Sequence, residues 1–227
     1  MLIYDSSTKK VSTIDYRSAA PKEAKSDMFL TKNGVVRYGY IVTAVPGTVA
    51  GLIKAHEEHG NLSLQRVIEP SIDLASKGFK VTHDLFQALN FGKISLLEDR
   101  TSKTKFYDSD QNTLPIDSLF IQPDLAKTLK LISTNGKDGF YKGQMAELIS
   151  QASKDNGGLI TQKDLASYEA KERTAIRTSY RGYEVVTMPP AASGGLVLLQ
   201  TLNILENFNL KDQGHNSANA VHLLSES

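Results

Sequence analysis

Two short runs rich in apolar residues at the start of the chain, residues 1–4 and 11–16, are typical of β-strands. The polar stretch from Asp5 to Lys10 separates them. Two strand-like runs joined by a short polar segment are typical of a β-hairpin. A second hairpin is predicted around Tyr180-Arg181-Gly182-Tyr183, where a glycine lies in the turn between two further strand-like runs.

Many of the remaining apolar residues recur with the period of about 3.6 that indicates a helix with one buried face. Thr48 is predicted to cap the first of these helices, and Pro70 is predicted to kink or split the second. Thr161 to Asp164 resembles a capping box that opens a short helix. The predicted helices cover residues 48–59, 63–77, 84–97 (weakly), 123–135, 144–154, 161–165, a segment ending near residue 208, and 217–227.

The other segments have no clear period. Residues 25–45 are mixed, with a loop around Asn33-Gly34, and residues 98–118 are polar and rich in turn formers, which predicts a surface excursion. The segment from Pro189 to Gly195 is predicted to be a loop that leads into an apolar helix. Because no shift in composition marks a domain boundary, residues 1–227 are predicted to belong to a single domain.

The composition excludes several classes of protein. Among the 227 residues, 26 Lys and Arg balance 25 Asp and Glu, and no cysteine is present. Nucleic-acid binding is not predicted, because proteins of that kind normally carry a basic excess. Disulfides, cysteine-based zinc sites and thiol catalysis are excluded for this sequence. It contains no apolar run of about 18 residues that would predict a membrane span, and its first residues do not resemble a signal peptide.

The sequence lacks the common signatures of hydrolases and nucleotide-binding proteins, since it has no Gly-x-Ser-x-Gly elbow, Walker loop or Gly-x-Gly-x-x-Gly motif. His56 and His59 flank two glutamates, and on a helix both imidazoles could face one metal ion. Their spacing differs from that of the His-Glu-x-x-His zinc motif, and no third ligand is suggested nearby. A solvated charged face is therefore the preferred interpretation.

Arg17 is the candidate for anion binding, because it directly follows a strand-like run. A guanidinium group at the end of a strand can hold a small carboxylate by two parallel hydrogen bonds. The alternative is a structural ion pair of Arg17 with Asp15 or Asp27.

Ser193-Gly194-Gly195 is a second candidate, because backbone N–H groups at the start of a helix can hold an anion. The alternative is a tight structural turn that lets the helix pack closely. From local sequence, both interpretations of this segment stay open.

Six segments, taken together and in order, resemble sequence blocks of the γ-glutamyltranspeptidase family, and the resemblance covers nearly the whole chain. The segments are Asp15-Tyr16-Arg17-Ser18-Ala19-Ala20-Pro21, Val45-Pro46-Gly47-Thr48-Val49-Ala50-Gly51-Leu52, Gly139-Phe140-Tyr141-Lys142-Gly143, Gly157-Gly158-Leu159-Ile160-Thr161, Tyr180-Arg181-Gly182-Tyr183, and the Pro189-Pro190 loop leading into Leu202-Asn203-Ile204-Leu205-Glu206.

The resemblance implies an α+β fold of the N-terminal-nucleophile hydrolase type, an αββα four-layer sandwich. Members of this family are made as one precursor that cleaves itself into a large and a small subunit. The new N-terminal threonine of the small subunit attacks the γ-glutamyl amide of glutathione or a related compound, and water or an amino acid or peptide then accepts the acyl group. No metal or organic cofactor is implied.

The resemblance also assigns roles within this chain. Arg17 matches the family arginine that binds the α-carboxylate of the γ-glutamyl group, whereas no catalytic residue and no metal ligand is expected here. The chain departs from the family at Ser18, where a glutamate is frequent, and at Ala191 and Ala192, which replace a proline and a serine of the family loop. The effect of Ala191 and Ala192 on the site stays open, and this loop is not assigned to the substrate site.

These observations lead to the expectation of an incomplete large subunit, truncated at both ends, that is inactive alone and pairs with the small subunit of the same precursor. The intact protein is expected in the periplasm or outside the cell. Two alternatives stay open: a cephalosporin acylase or poly-γ-glutamate transpeptidase of the same fold, and a binding module that has lost catalysis.

Overall fold

Short strands and longer helices alternate along the chain in the computed structural model, which describes residues 1–32 and 34–227. The strands are β1 (Leu2–Asp5), β2 (Lys10–Asp15), β3 (Leu30–Thr31), β4 (Gly34–Val35), β5 (Phe79–Lys80), β6 (Leu119–Phe120), β7 (Lys171–Glu172), β8 (Ile176–Tyr180) and β9 (Tyr183–Thr187). The helices are α1 (Thr48–His59), α2 (Leu64–Lys77), α3 (His83–Phe91), α4 (Lys93–Glu98), α5 (Arg100–Phe106), α6 (Pro123–Asn135), α7 (Asp138–Tyr141), α8 (Gly143–Asp155), α9 (Gln162–Ala166), α10 (Ser193–Leu205), α11 (Leu210–Gln213) and α12 (Ala218–Glu226).

These elements fall into two units, one formed by residues 1–60 and 146–227 and the other by residues 61–145. Mixed helix and sheet agrees with the predicted fold class. Across the described ranges, no helix combines the length and the apolar character needed to cross a membrane. The predicted loop around Asn33-Gly34 centres on Asn33, which lies outside the described residues.

The first unit contains a three-stranded antiparallel sheet in the order β1-β2-β7. The predicted hairpin of β1 and β2 is confirmed, with Leu2 opposite Thr13 and Asp5 opposite Lys10. Strand β2 also pairs with β7, where Asp15 lies opposite Lys171. Because Ile14 is completely buried at the end of β2, the direction in which the chain leaves this strand is fixed by the core.

Helix α1 packs against the end of β2 through two glycines. A Cβ atom on Gly51 would lie 2.2 Å from the ring of Tyr16, and one on Gly47 would lie 2.2 Å from the Tyr16 carbonyl oxygen. The prediction that Thr48 caps this helix is wrong. The N-cap is Gly47, because its carbonyl oxygen already accepts the N–H of Gly51 at 3.0 Å. The predicted end of this helix at residue 59 is confirmed, with Gly60 as its C-cap.

The second hairpin, β8 and β9, is confirmed, and its turn residues Arg181 and Gly182 both have positive φ values of 49° and 83°. The loop predicted to extend to Gly195 is shorter, because α10 already begins at Ser193. A Cβ atom on Gly195 would lie 2.1 Å from the carbonyl oxygen of Met188, so this glycine lets α10 approach the end of β9.

The second unit is built around α2 and α6, which pack against each other. Ser63 caps α2 by accepting the N–H of Arg66 at 3.3 Å. A kink or a split of this helix was predicted at Pro70, and the split is wrong, since α2 continues through Pro70. The segment 98–118 is not only a loop, because it contains α5, which Asp99 caps by accepting the N–H of Ser102 at 2.7 Å.

The predicted capping box at the start of α9 is confirmed. The buried carboxylate of Asp164 accepts the N–H and the hydroxyl of Thr161 at 2.9 and 2.6 Å. Its other oxygen accepts the N–H of Lys22 at 3.0 Å and so connects α9 to the segment that follows β2. Burial by itself raises the pKa of Asp164, but the hydrogen bonds from Thr161 and Lys22 outweigh burial, and the pKa is lowered overall.

We predict that Asp164→Asn destabilises the full-length gene product by about 1 to 3 kcal/mol at neutral pH, because one side of an amide cannot accept these hydrogen bonds. Since the folded-state pKa is depressed, the stabilisation by Asp164 is present above the ordinary pKa of 3.8 and is lost as pH falls through the folded-state value. The difference in Tm between wild type and variant should therefore be largest near neutrality and shrink below about pH 4.

The matched control is Asp110→Asn, because Asp110 is exposed and its side chain makes no hydrogen bond within the described ranges. Its Tm should follow that of the wild type at every pH. An equal loss in both variants would contradict the role assigned to Asp164.

Candidate functional site

Arg17 lies just beyond the end of β2 and lines a cavity of about 630 Å³ in the first unit. The walls of this cavity come from the end of β2, from the segment that enters α1, and from the loop of residues 189–192 before α10. A second cavity of about 590 Å³ is lined by Arg17 as well, together with residues of the segment 164–173. The predicted candidate thus lies at the wall shared by two cavities.

The backbone of Arg17 is held from both sides. Its N–H donates to Oδ1 of Asp15 at 3.0 Å, and its carbonyl oxygen accepts the hydroxyl of Tyr168 at 2.8 Å. Tyr168 is itself buried, and Gly47 makes room for it, because a Cβ atom there would lie 2.0 Å from the tyrosine Oη. The position of the Arg17 Cα atom is therefore set by groups from β2 and from the segment after α9.

The Arg17 side chain, in contrast, is exposed, and its guanidinium group has no hydrogen bond or ion pair with any residue of the ranges 1–32 and 34–227. The alternative interpretation of Arg17 as a structural ion pair with Asp15 or Asp27 is wrong in this structure. The Asp15 carboxylate pairs with another arginine, since its Oδ2 lies 3.1 Å from Nε of Arg173.

Asp15 thus has both oxygens engaged. The N–H of Arg17 is the main cause that lowers its pKa; burial acts in the opposite direction, and Arg173 lowers the pKa further through its hydrogen bond and its charge. Asp15 is therefore an ionised acceptor at neutral pH.

Arg173 is anchored by its own backbone to β2. Its N–H donates to the Thr13 hydroxyl at 3.2 Å, and this hydroxyl donates in turn to the Arg173 carbonyl oxygen. Thr13 is 2% exposed, so the anchor is buried. Neither Arg173 nor Tyr168 was identified from the sequence, because their partners lie 151 to 160 residues away along the chain and leave no local pattern.

The chemistry of this site suits the binding of a small anion. A guanidinium group without a protein partner, at the edge of a cavity, offers two parallel N–H groups to a carboxylate. Ser18 and Thr48 also line the cavity. Within the described part of the chain, neither hydroxyl is hydrogen-bonded to a histidine or a carboxylate.

The other two candidates are not part of this arrangement. His59 lies at the end of α1, with Nε2 at 3.2 Å from the hydroxyl of Ser12, and the neighbouring Glu58 pairs with Lys54 at 2.5 Å. Among the residues that the structure describes, no group of three or more His, Asp and Glu side chains could hold a metal ion. For the segment Ser193-Gly194-Gly195, the structure supports close helix packing, since Gly195 has no side chain and so admits the Met188 carbonyl oxygen.

Known proteins resemble this chain over nearly its whole length. The family model for gamma-glutamyltranspeptidase matches residues 1–227. The glutathione hydrolase proenzyme of Escherichia coli (strain K12) is 41% identical over 231 residues, which cover 99% of this chain and 40% of that protein. The acylase ACY 1 proenzyme of Pseudomonas sp. (strain V22) is 36% identical over 224 residues, which cover 94% of this chain and 40% of that protein. The chain therefore spans about two fifths of the length of these relatives.

The fold is shared with a solved structure. The crystal structure of Helicobacter pylori gamma-glutamyltranspeptidase matches with a TM-score of 0.95 and 38% identity, over 100% of this chain and 66% of that chain. This likeness confirms the predicted fold class, α+β of the N-terminal-nucleophile hydrolase type.

We predict that Gly47→Ala lowers the Tm of the full-length gene product, with a loss of about 1 to 3 kcal/mol. The added methyl group would meet the Tyr168 hydroxyl at 2.0 Å and the Tyr16 carbonyl oxygen at 2.2 Å, and these two groups adjoin the backbone of Arg17. Gly194→Ala is the matched control, because a Cβ atom on Gly194 meets nothing within 4 Å and alanine is a better helix former. Equal Tm values for the two variants would contradict the prediction.

Proposed function

The chain belongs to the gamma-glutamyltranspeptidase family, and from this membership we propose that it is a large-subunit portion of an enzyme that acts on γ-glutamyl compounds. The intact enzyme cleaves the γ-glutamyl amide of glutathione and related compounds, and it transfers the γ-glutamyl group to water or to an amino acid or peptide. The observation that carries this proposal is the guanidinium group of Arg17, which lines a cavity of about 630 Å³ and has no protein partner among the described residues.

Arg17 binds the α-carboxylate of the γ-glutamyl group in this proposal. A planar guanidinium group matches the two oxygens of a carboxylate, and charge-assisted bonds of this kind are stronger than neutral ones. The hydrogen bonds of its backbone to Asp15 and Tyr168 support the assignment, because they fix the base of the side chain while its tip stays free.

The proposed nucleophile is the N-terminal threonine of a small subunit cut from the same precursor. Its hydroxyl attacks the amide carbonyl carbon, and its α-amine takes the hydroxyl proton and passes it to the leaving amine. The resulting γ-glutamyl ester is then cleaved by water or by an acceptor amine, which regenerates the hydroxyl. The Escherichia coli relative is named a proenzyme, which supports a precursor of this kind.

No catalytic residue of this chain and no metal or organic cofactor takes part in the proposed steps. We place the enzyme in the periplasm or outside the cell, on the family resemblance alone.

The same fold also serves related enzymes, and the relative named as an acylase is 36% identical to this chain. The free guanidinium group of Arg17 favours an acyl group that carries an α-carboxylate, as a γ-glutamyl group does.

We predict that Arg17→Ala in the full-length gene product lowers kcat/KM for a γ-glutamyl anilide on the order of a hundredfold, because an arginine–carboxylate contact is lost. Arg17→Lys should retain part of the activity, since it keeps the charge but loses the planar fork. Anilide release measured at substrate concentrations below KM gives kcat/KM directly.

Arg66→Ala is the control for this measurement, because Arg66 is an exposed arginine that pairs with Glu69 on the surface of α2 at 3.1 Å. Its kcat/KM should match that of the wild type. Full activity in Arg17→Ala would support the proposed enzymatic activity but exclude the proposed role of Arg17. No activity in the processed wild-type protein would favour the acylase or the binding module.

We also predict that the isolated 227-residue chain releases no anilide product, since the proposed nucleophile lies in the small subunit. The measurement compares this chain with the full-length gene product at equal concentration. Product release by the isolated chain at a comparable rate would contradict the assignment of the nucleophile to another subunit.

A further inference from the structure

The Asp15 carboxylate contacts two arginines, Arg17 and Arg173. It forms an ion pair with the side chain of Arg173 only, because its contact with Arg17 is to the backbone N–H. We propose that Arg173 is a positioning residue: by engaging the Asp15 carboxylate it keeps the Arg17 guanidinium group free for the carboxylate of the substrate. The proposal rests on the substrate-binding role of Arg17 proposed above, and it adds a residue that lines the same cavity and acts on Arg17 through the Asp15 carboxylate.

The distances divide the two oxygens of Asp15 between two different groups. Oδ1 accepts the backbone N–H of Arg17 at 3.0 Å, and Oδ2 accepts Nε of Arg173 at 3.1 Å. The carboxylate is therefore close to Arg17 without pairing with its guanidinium group. An ionised carboxylate strongly favours a nearby guanidinium group. Arg173 supplies one, so the Asp15 carboxylate does not need to pair with the guanidinium group of Arg17.

Without Arg173, the same carboxylate becomes a competitor of the substrate. Asp15 precedes Arg17 by only two residues and is already hydrogen-bonded to its backbone. The side chain of Asp15 is 12% exposed, so a lost partner is not fully replaced by water. An internal Asp15–Arg17 pair would then have to break before the substrate carboxylate could bind, and this would weaken binding.

Arg173 is held in place independently of its side chain. The neighbouring residues Lys171 and Glu172 form β7, which pairs with β2, and the Arg173 backbone bonds to the hydroxyl of Thr13. Its side chain is 44% exposed, so its truncation removes a charge without opening a buried cavity. Asp164, which lines the neighbouring cavity, is engaged by Thr161 and Lys22 and does not take the place of Asp15.

The test measures kcat/KM of the full-length gene product for two anilides, the γ-glutamyl anilide and its α-carboxamide analogue, which lacks the negative charge. The ratio of the two values reports the preference for a carboxylate. We expect Arg173→Ala to lower this ratio about tenfold, mainly through KM of the charged substrate, because Asp15 then pairs with Arg17. Asp15→Asn combined with Arg173→Ala should restore most of the ratio, since the competing charge is gone while the amide oxygen can still accept the Arg17 N–H.

The double variant also separates this mechanism from a structural effect. If Arg173 only stabilised the fold, removing its partner as well would not restore the preference for the carboxylate, and that result would overturn the proposal, as would an unchanged ratio in Arg173→Ala. Arg177→Ala is the matched control, because Arg177 forms an exposed pair with Glu184 at 2.6 Å on the β8–β9 hairpin, and its ratio should equal that of the wild type.

Arg17→Ala distinguishes this proposal from the proposed function on which it rests. If Arg17→Ala leaves the ratio unchanged, the carboxylate-binding role of Arg17 fails, and the role of Arg173 fails with it. If Arg17→Ala abolishes the preference but Arg173→Ala retains it, only the positioning role is overturned.

Discussion

The carboxylate of Asp15 is the point on which the arrangement of this site depends. It terminates β2, accepts the backbone N–H of the second residue after the strand, and binds an arginine that follows β7. The pairing of β2 with β7 brings these groups together, and the buried Ile14 holds the strand end against the core. The ion pair between Asp15 and Arg173 therefore depends on the register of β2 and β7, since a shift of either strand would separate the two residues.

A cation without a protein partner contributes little to folding, and the structure places its stabilising contacts elsewhere. The backbone around Arg17 is fixed by Asp15 and Tyr168, whereas the side chain that faces the cavity remains unpaired within the described residues. This separation is characteristic of a binding residue, because a charged group that already has a strong partner must lose it before it can bind a ligand. The departures at Ala191 and Ala192 lie in the same cavity wall, and Ala191 has a φ of 118°, which is unfavourable for a residue with a side chain.

Local patterns predicted much of the fold. The hairpins, the capping box at Thr161 and most helix boundaries depend on neighbouring residues, so periodicity and turn chemistry were sufficient. Of the kink or split predicted at Pro70, the split does not occur, because the position is exposed and the Arg66 carbonyl that lacks an N–H partner there can be hydrated. Helix α5 was missed because its short polar sequence has no apolar stripe, although Asp99 is a recognisable cap. Arg17 could be proposed from its place at a strand end, but the pairing of Asp15 with Arg173 could not, because Arg173 becomes a neighbour only through the sheet.

The long separation along the chain between the groups that hold Arg17 has a consequence for how the protein is made. The contacts of Arg17 and its neighbours with Tyr168 and Arg173 span 151 to 160 residues. Contacts so distant in sequence require closure of a long loop and form late compared with local helices and hairpins. During synthesis on the ribosome, the hairpin of β1 and β2 can form early, but the site cannot be completed until residue 173 has left the exit tunnel. The order of translation thus leaves the candidate site incomplete until most of the chain has been made.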